Sequence, residues 1–230
     1  MQQFTLDVAV DARPSLDNFY SAGNETVHQH LRLWLESPRR APVPLYLWGA
    51  SGTGKTHVLQ ALARGLQERG EPFGWLDASQ DAPPSFDVAW RTVLMDDVHL
   101  FNAVQQHAAF NWFVNAQSAS CTVVASGNAP PAALLLRDDL RSRLGWGDIF
   151  ALELLSDEAQ REVLRQSATG RGLRLGDDVL DYMNTRFSRD LGNLMQWLDK
   201  LDQYALQTKR AITVPLLKDM LVSLNQESPV

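Results

Sequence analysis

Two periodicities divide this chain. Short apolar runs, each followed by Gly or a polar residue, occur at Leu45–Trp48, Phe73–Leu76, Thr92–Met95, Thr122–Ala125 and Ile149–Leu152. Runs of four residues flanked by turn-formers predict buried strands. Between them the spacing lengthens to three and four. Val58, Leu59, Leu62, Ala63 and Leu66 give Lys55–Glu68 a helical stripe, and Gly70 can end it. Gln105–Gln117 reads as a helix with Phe110, Trp112, Phe113 and Val114 on a crowded apolar side. After Pro130 and Pro131 a helical patch runs to about Leu144. Ahead of the first strand, Asn24 can cap a helix to Glu36 carrying Val27, Leu31, Leu33 and Trp34, and the proline-bearing Ser37–Pro44 is a loop. Five strands separated by helices predict an α/β fold, a parallel sheet flanked by helices on both faces.

From Ser156 onward the strand pattern stops. Helices are predicted from Ser156 to about Ala168, over Asp177–Arg186, over Ser188–Gln207 and after Thr213, with Pro215 in the last one's first turn. The third carries Leu191, Leu194, Met195, Leu198 and Leu201 on one face. The expected organisation is a tail over residues 1–13, an α/β domain over 14–155 and a small all-α domain over 156–230.

Composition narrows the function classes. With 230 residues, 45% of them hydrophobic, the chain supports a core domain plus a small satellite. A net charge of -6 argues against a strong non-specific DNA binder, which carries a basic face. The single cysteine, Cys121, sits in an apolar stretch, has no internal partner, and suits a packing role in a reducing cytosol. The N-terminus has no basic start followed by an apolar run, so no secretory signal is expected. No stretch approaches the roughly 18 to 20 apolar residues of a membrane span. His28 and His30 are two apart on one helix and face apart, His57 reads as packing or surface, and His99 and His107 lack a nearby cysteine pair, so no zinc is expected. The seven tryptophans read mostly as core or interface residues.

The sharpest chemistry lies between the first strand and the helix after it. Gly49-Ala50-Ser51-Gly52-Thr53-Gly54-Lys55-Thr56 fits G-x-x-x-x-G-K-[ST] in full. Its glycines let several backbone N–H groups converge on phosphate oxygens, and the helix entrance adds its positive end. Lys55 supplies a full charge toward the β- and γ-phosphates, and the Thr56 hydroxyl can ligate Mg2+. The implied cofactor is ADP or ATP with Mg2+. Val93-Leu94-Met95 ends in two acids. Asp96 is the candidate magnesium-side carboxylate and Asp97 the residue that orients or polarises water. After the fourth strand, Asn128 is the candidate for placing water near the γ-phosphate, with Ser126 as the alternative.

These motifs, in this order, resemble a known family. The P-loop, the paired acids, the polar strand tip and Leu140-Arg141-Ser142-Arg143-Leu144-Gly145-Trp146-Gly147 are similar to the AAA+ domain of the bacterial replication initiator DnaA. Ser188-Arg189-Asp190-Leu191-Gly192-Asn193-Leu194 resembles that family's second sensor, and Asp17-Asn18-Phe19 the segment leading into its adenine pocket. The likeness spans about residues 14–225. It implies an AAA+ P-loop domain followed by a helical lid, with Arg189 reaching the phosphates and Asn18 and Phe19 on the base side. The initiator carries a further DNA-binding domain, and a lone module of this size resembles the Hda-type regulatory inactivators of the same family.

That resemblance implies a bacterial, cytoplasmic protein held at the nucleoid through a sliding clamp, with two partners: DnaA and the DNA polymerase sliding clamp (its beta subunit). Arg143 would be the finger that stimulates hydrolysis of DnaA-bound ATP, with Arg141 its nearest competitor, and the chain's own hydrolysis would be weak. Clamp-binding peptides of the family begin with Gln and carry aliphatic anchors. Gln3-Phe4-Thr5-Leu6-Asp7-Val8 places Gln3, Phe4, Leu6 and Val8 accordingly, with Phe4 and Asp7 departing from the Leu and Pro of better-known examples. AAA+ modules pair head to tail, which implies a homodimer or higher homo-oligomer, with no membrane association and no strong direct DNA binding. The same residues leave open a helicase loader or stand-alone initiator acting on DNA, and a non-catalytic adaptor whose nucleotide is only a clasp.

Overall fold

The structure, a computed structural model, describes residues 13–38, 40–187 and 191–226. They divide into two compact units, Arg13–Leu154 and a second beginning at Leu155.

In the first unit the apolar runs become five strands, β1 (Leu45–Trp48), β2 (Phe73–Leu76), β3 (Thr92–Met95), β4 (Thr122–Gly127) and β5 (Asp148–Ala151). All pair in parallel, in the order β2-β3-β4-β1-β5. Strand β4 is thus inserted between the strand that feeds the glycine-rich loop and the strand that ends in acids. Helices α1 (Glu25–Glu36), α2 (Lys55–Glu68), α3 (Ala103–Ser118) and α4 (Asp138–Leu144) cover the sheet.

The two-residue period of the strands sorts the core. Leu45, Leu47, Leu94 and Val124 join Val27 and Leu31 of α1 and Val58, Leu59, Leu62 and Leu66 of α2. Tyr46, Val93, Met95, Val123 and Ala125 join Trp112 and Phe113 of α3 and Leu140 and Leu144 of α4. Helix α2 ends as its glycine predicts: Gly70 has φ 68° and Glu71 N donates to Leu66 O at 3.0 Å.

Several local expectations are corrected. Strand β5 begins and ends one residue early, at Asp148 and Ala151, because its register is set by Leu45 and Trp48 opposite rather than by its own apolar residues. It is an edge strand, so Ile149 is exposed while Leu152, just beyond, is buried. Strand β4 runs two residues further than expected, to Gly127. Asn24 precedes α1 but its side chain does not cap it. Its amide instead clasps Glu153, donating to the carbonyl at 3.1 Å and accepting from the N–H at 2.8 Å.

Helix α3 starts two residues early because Asn102 and Gln105 form a capping box. Its buried face is Gln105, Ala109, Trp112, Phe113 and Ala116, so Val114 turns outward and Phe110 is only half-buried. Gln105 is tolerated inside because its amide donates to Ala78 O and Gln80 O, each at 3.0 Å. The expected patch after Pro130 divides into a single 3-10 turn, Pro131–Ala133, and α4.

Among the described residues the second unit forms four helices, α5 (Asp157–Gly170), α6 (Asp177–Arg186), α7 (Leu191–Thr208) and α8 (Val214–Gln226). Ser156 Oγ accepts from Ala159 N and so caps α5. The buried face of α7 is Leu194, Leu198, Leu201 and Ala205, meeting Leu164, Val179, Leu180, Met183, Leu216 and Leu217. Leu191 and Met195, expected on that face, are half-buried at its margin. No helix among the described residues is long and apolar enough to cross a membrane.

Candidate functional site

The parallel register opens β1, β3 and β4 at one edge. Met95 lies opposite Ala125 and Trp48 opposite Gly127, so the residues that follow each strand emerge side by side. In open α/β sheets this carboxyl-end crevice is where ligands bind.

Leaving β1, Gly49 N donates to Gly127 O at 3.2 Å, and any Cβ there would stand 2.5 Å from Leu152 O, so only glycine fits. The loop closes through Gly54, the residue before α2, at φ 89°. The ring of Phe19 lies 2.9 Å from where a Cβ of Gly54 would be, so this position needs glycine twice over. Thr53 is buried and its hydroxyl donates to Ala50 O at 3.0 Å. Lys55 opens α2 with only 6% of its surface exposed, and its Nζ donates to Gly49 O (2.9 Å) and Ala50 O (2.8 Å). The first turn of α2 holds no acid, so its N-terminal dipole is not offset from within the helix. Ala50, Ser51 and Thr56 are exposed, and Gly52 is half-buried.

Beside the loop, Asp96 is buried and its Oδ1 accepts from Ser126 Oγ at 2.6 Å. Burial pushes its carboxyl above the usual range. Hydrogen bonds from Ser126 and from Thr56 pull it back down, and the neighbouring Asp97 charge pushes it up. Thr56, Asp96 and Ser126 are therefore one hydrogen-bonded set, of hard oxygen atoms suited to Mg2+ and its water shell. Asp97 turns the chain out of β3 at φ 47°, a left-handed conformation that aspartate tolerates better than most side chains. Its N–H donates to Ser126 Oγ at 2.8 Å. Its carboxylate lies 3.8 Å from His99 Nδ1, and its charge adds to burial in raising the Tyr46 phenol. Tyr46 donates to Ala129 O at 2.8 Å.

Of the two candidates at the end of β4, it is Ser126 that meets both acids. Asn128 follows the strand and is exposed. His99 and Tyr46, both beside Asp97, are additions that the sequence offered no signal for.

Asn18 and Phe19 play different parts. Asn18 is exposed and folds its own turn, accepting from Ser15 N at 2.9 Å and donating to Arg13 O at 2.9 Å. Phe19 is buried, with His28 at 5.8 Å and His57 at 5.9 Å between ring centroids. Both histidines hold the segment before it: His28 Nε2 lies 2.7 Å from Leu16 O and His57 Nε2 3.2 Å from Ser15 O. Burial holds His57 below its ordinary pKa, against the hydrogen bond to Ser15.

Arg143 stands apart from these groups, on the last turn of α4. The acids at the head of that helix are taken by its neighbours, Asp138 by Arg141 and Asp139 by Arg137, each at 2.7 Å. Among the described residues Arg143 has no ion pair; its guanidinium lies over Phe110 at 5.0 Å and Trp146 at 4.8 Å. Arg189, Gln3, Phe4, Leu6 and Val8 lie outside the described residues.

Comparison with known proteins places this architecture. The family described as "Hda, lid domain" matches residues 157–221. An uncharacterised protein of Haemophilus influenzae is 32% identical over 220 residues, covering 90% of this chain and 93% of its own. Domain III of the Thermotoga maritima replication initiation protein DnaA superposes with a TM-score of 0.74 at 20% identity, over 91% of this chain and 95% of that one. The structure of AMPPCP-bound DnaA from Aquifex aeolicus gives 0.63 at 21% identity, over 82% and 71%. A crystal structure described as a DNA replication initiation factor gives 0.67 at 19% identity, covering 84% of this chain; the chain spans 65% of that protein's length.

Proposed function

The chain belongs to the DnaA-like AAA+ family, close to Hda, and from that premise we propose that it is a nucleotide-bound regulator of replication initiation that acts on DnaA. Its own site takes ADP or ATP. The N–H groups of Gly49–Thr56, the entrance of α2 and Lys55 would hold the polyphosphate, with Lys55 Nζ turning to it from the carbonyls of Gly49 and Ala50. Phe19 borders the base side and Asn18 holds the turn that delivers it; Arg189 carries the second-sensor role that its motif implies. Thr56 and Asp96 would hold Mg2+, which would neutralise phosphate charge. Asp97 orients water, with Ser126 beside it; Asn128, just past β4, is the candidate that places water near the γ-phosphate.

The effect on DnaA runs through Arg143. An arginine placed across a subunit boundary stabilises charge on the transferring phosphoryl group and is worth roughly 10³ to 10⁵ in rate. The observation that carries this reading is that, of the arginines on α4, Arg143 alone lacks a counter-ion among the described residues. Its charge is thus available to a phosphate on another protein. Gln3, Phe4, Leu6 and Val8 dock the chain on the sliding clamp, which localises it on DNA without a strong DNA-binding face of its own. The chain also pairs with itself as AAA+ modules do.

The test is hydrolysis of DnaA-bound ATP with DNA-loaded clamp present. Arg143→Ala should abolish stimulation and leave clamp binding intact. Normal stimulation by that variant would reduce the protein to a nucleotide-clasped adaptor, and loss of clamp binding as well would make the residue structural.

A further inference from the structure

Arg143 is restrained without being neutralised. An exposed arginine ordinarily samples many rotamers, and the usual restraint is a carboxylate, which also cancels its charge. Arg141 and Arg137 are held in that way by Asp138 and Asp139. Arg143 is held by two ring faces: Phe110 from the middle of α3 and Trp146 from the turn that follows α4. Stacking on aromatic faces leaves the in-plane N–H donors of a guanidinium pointing outward, and both centroid distances lie within the roughly 6 Å over which a ring attracts a cation.

The cost of this arrangement is visible on the surface. Trp146 is 60% exposed and Phe110 only half-buried, although α3 has a fully buried face and Phe110 is turned away from it. Core packing therefore does not explain either ring. Phe110 also lies 5.7 Å from Arg137, but that guanidinium is already tied to Asp139 and is near His107 Nδ1 at 3.4 Å.

We propose that Phe110 and Trp146 are positioning residues, which fix the direction of the Arg143 guanidinium while leaving its full charge for the phosphoryl group it meets. This rests on the finger role of Arg143 proposed above and concerns the maximal rate, not the affinity, of the encounter with DnaA.

The experiment titrates the full chain into ATP-loaded DnaA with DNA-loaded clamp and separates the maximal rate from the half-saturating concentration. Phe110→Leu and Trp146→Leu should each lower the maximal rate roughly threefold, and together about tenfold, in keeping with the strength of exposed cation–π contacts. The half-saturating concentration should not move. Phe110→Tyr and Trp146→Phe, which keep a ring face, should retain the rate. Unchanged maximal rates in the leucine variants would overturn the proposal. So would a loss confined to the half-saturating concentration, since the rings would then be docking residues, or an equal loss in the ring-keeping variants. Arg143→Ala run alongside separates the two levels. If it retains stimulation, the finger reading fails and this one with it; if it loses stimulation while both leucine variants keep theirs, only the positioning role fails.

Discussion

Ser126→Ala probes the centre of the site more severely than its size suggests. The hydroxyl has no exposed surface, donates to Asp96 Oδ1 at 2.6 Å and accepts from Asp97 N at 2.8 Å. A hydrogen bond to a charged group contributes about 1.5–3 kcal/mol, and a donor left unsatisfied inside costs about 1–3 kcal/mol. The Asp97 N–H to Ser126 contact is only part-buried, so water can recover some of the second loss. A total of about 2–4 kcal/mol follows, or a fall in melting temperature of roughly 5–15 °C for a unit of this size. Urea titration of the nucleotide-free chain, followed by tryptophan fluorescence, measures it. Repeating the substitution on an Asp96→Ala background tests the mechanism, because most of the effect requires the carboxylate. A loss below about 0.5 kcal/mol, or the same loss in both backgrounds, would refute the claim that Ser126 ties the two acids together.

Two further outcomes follow. Burial holds the Asp96 carboxyl above its unfolded value, so ionising it weakens the fold as pH rises through the folded pKa, and below the unfolded pKa no such cost exists. Asp96→Asn should therefore make the nucleotide-free protein more stable than the parent at neutral pH, with the difference vanishing in acid; urea titrations at the two pH values would show it, and lower stability at neutral pH would contradict it. Gly127→Ala would set a Cβ 2.0 Å from the Tyr46 hydroxyl, which is buried and bonded to Ala129 O. It should cost about 1–3 kcal/mol by overpacking, and calorimetry should find a smaller cost on a Tyr46→Phe background.

The sequence by itself determined whatever depends on neighbours along the chain. The glycine-rich loop is eight consecutive residues, and its turns, its lysine and the helix after it follow from local backbone freedom and periodicity, as do the five strands and the four helices after Ser156. Helical and strand periods are properties of bonds between residues a few positions apart, so they are legible before any fold exists. What only the tertiary structure decided are the meetings between residues far apart. That Ser126 rather than Asn128 meets the acids depends on β4 lying between β1 and β3 in a register that sets Ala125 opposite Met95. The early start of β5 depends on its pairing with β1, and the diversion of Asn24 from capping depends on Glu153 coming within reach. Arg143 finds Phe110 only because α3 and α4 cover the same face of the sheet, an arrangement that no spacing along the chain encodes. Such contacts form when the sheet and its covering helices exclude water from a shared interior, and their partners are chosen by geometry rather than by adjacency.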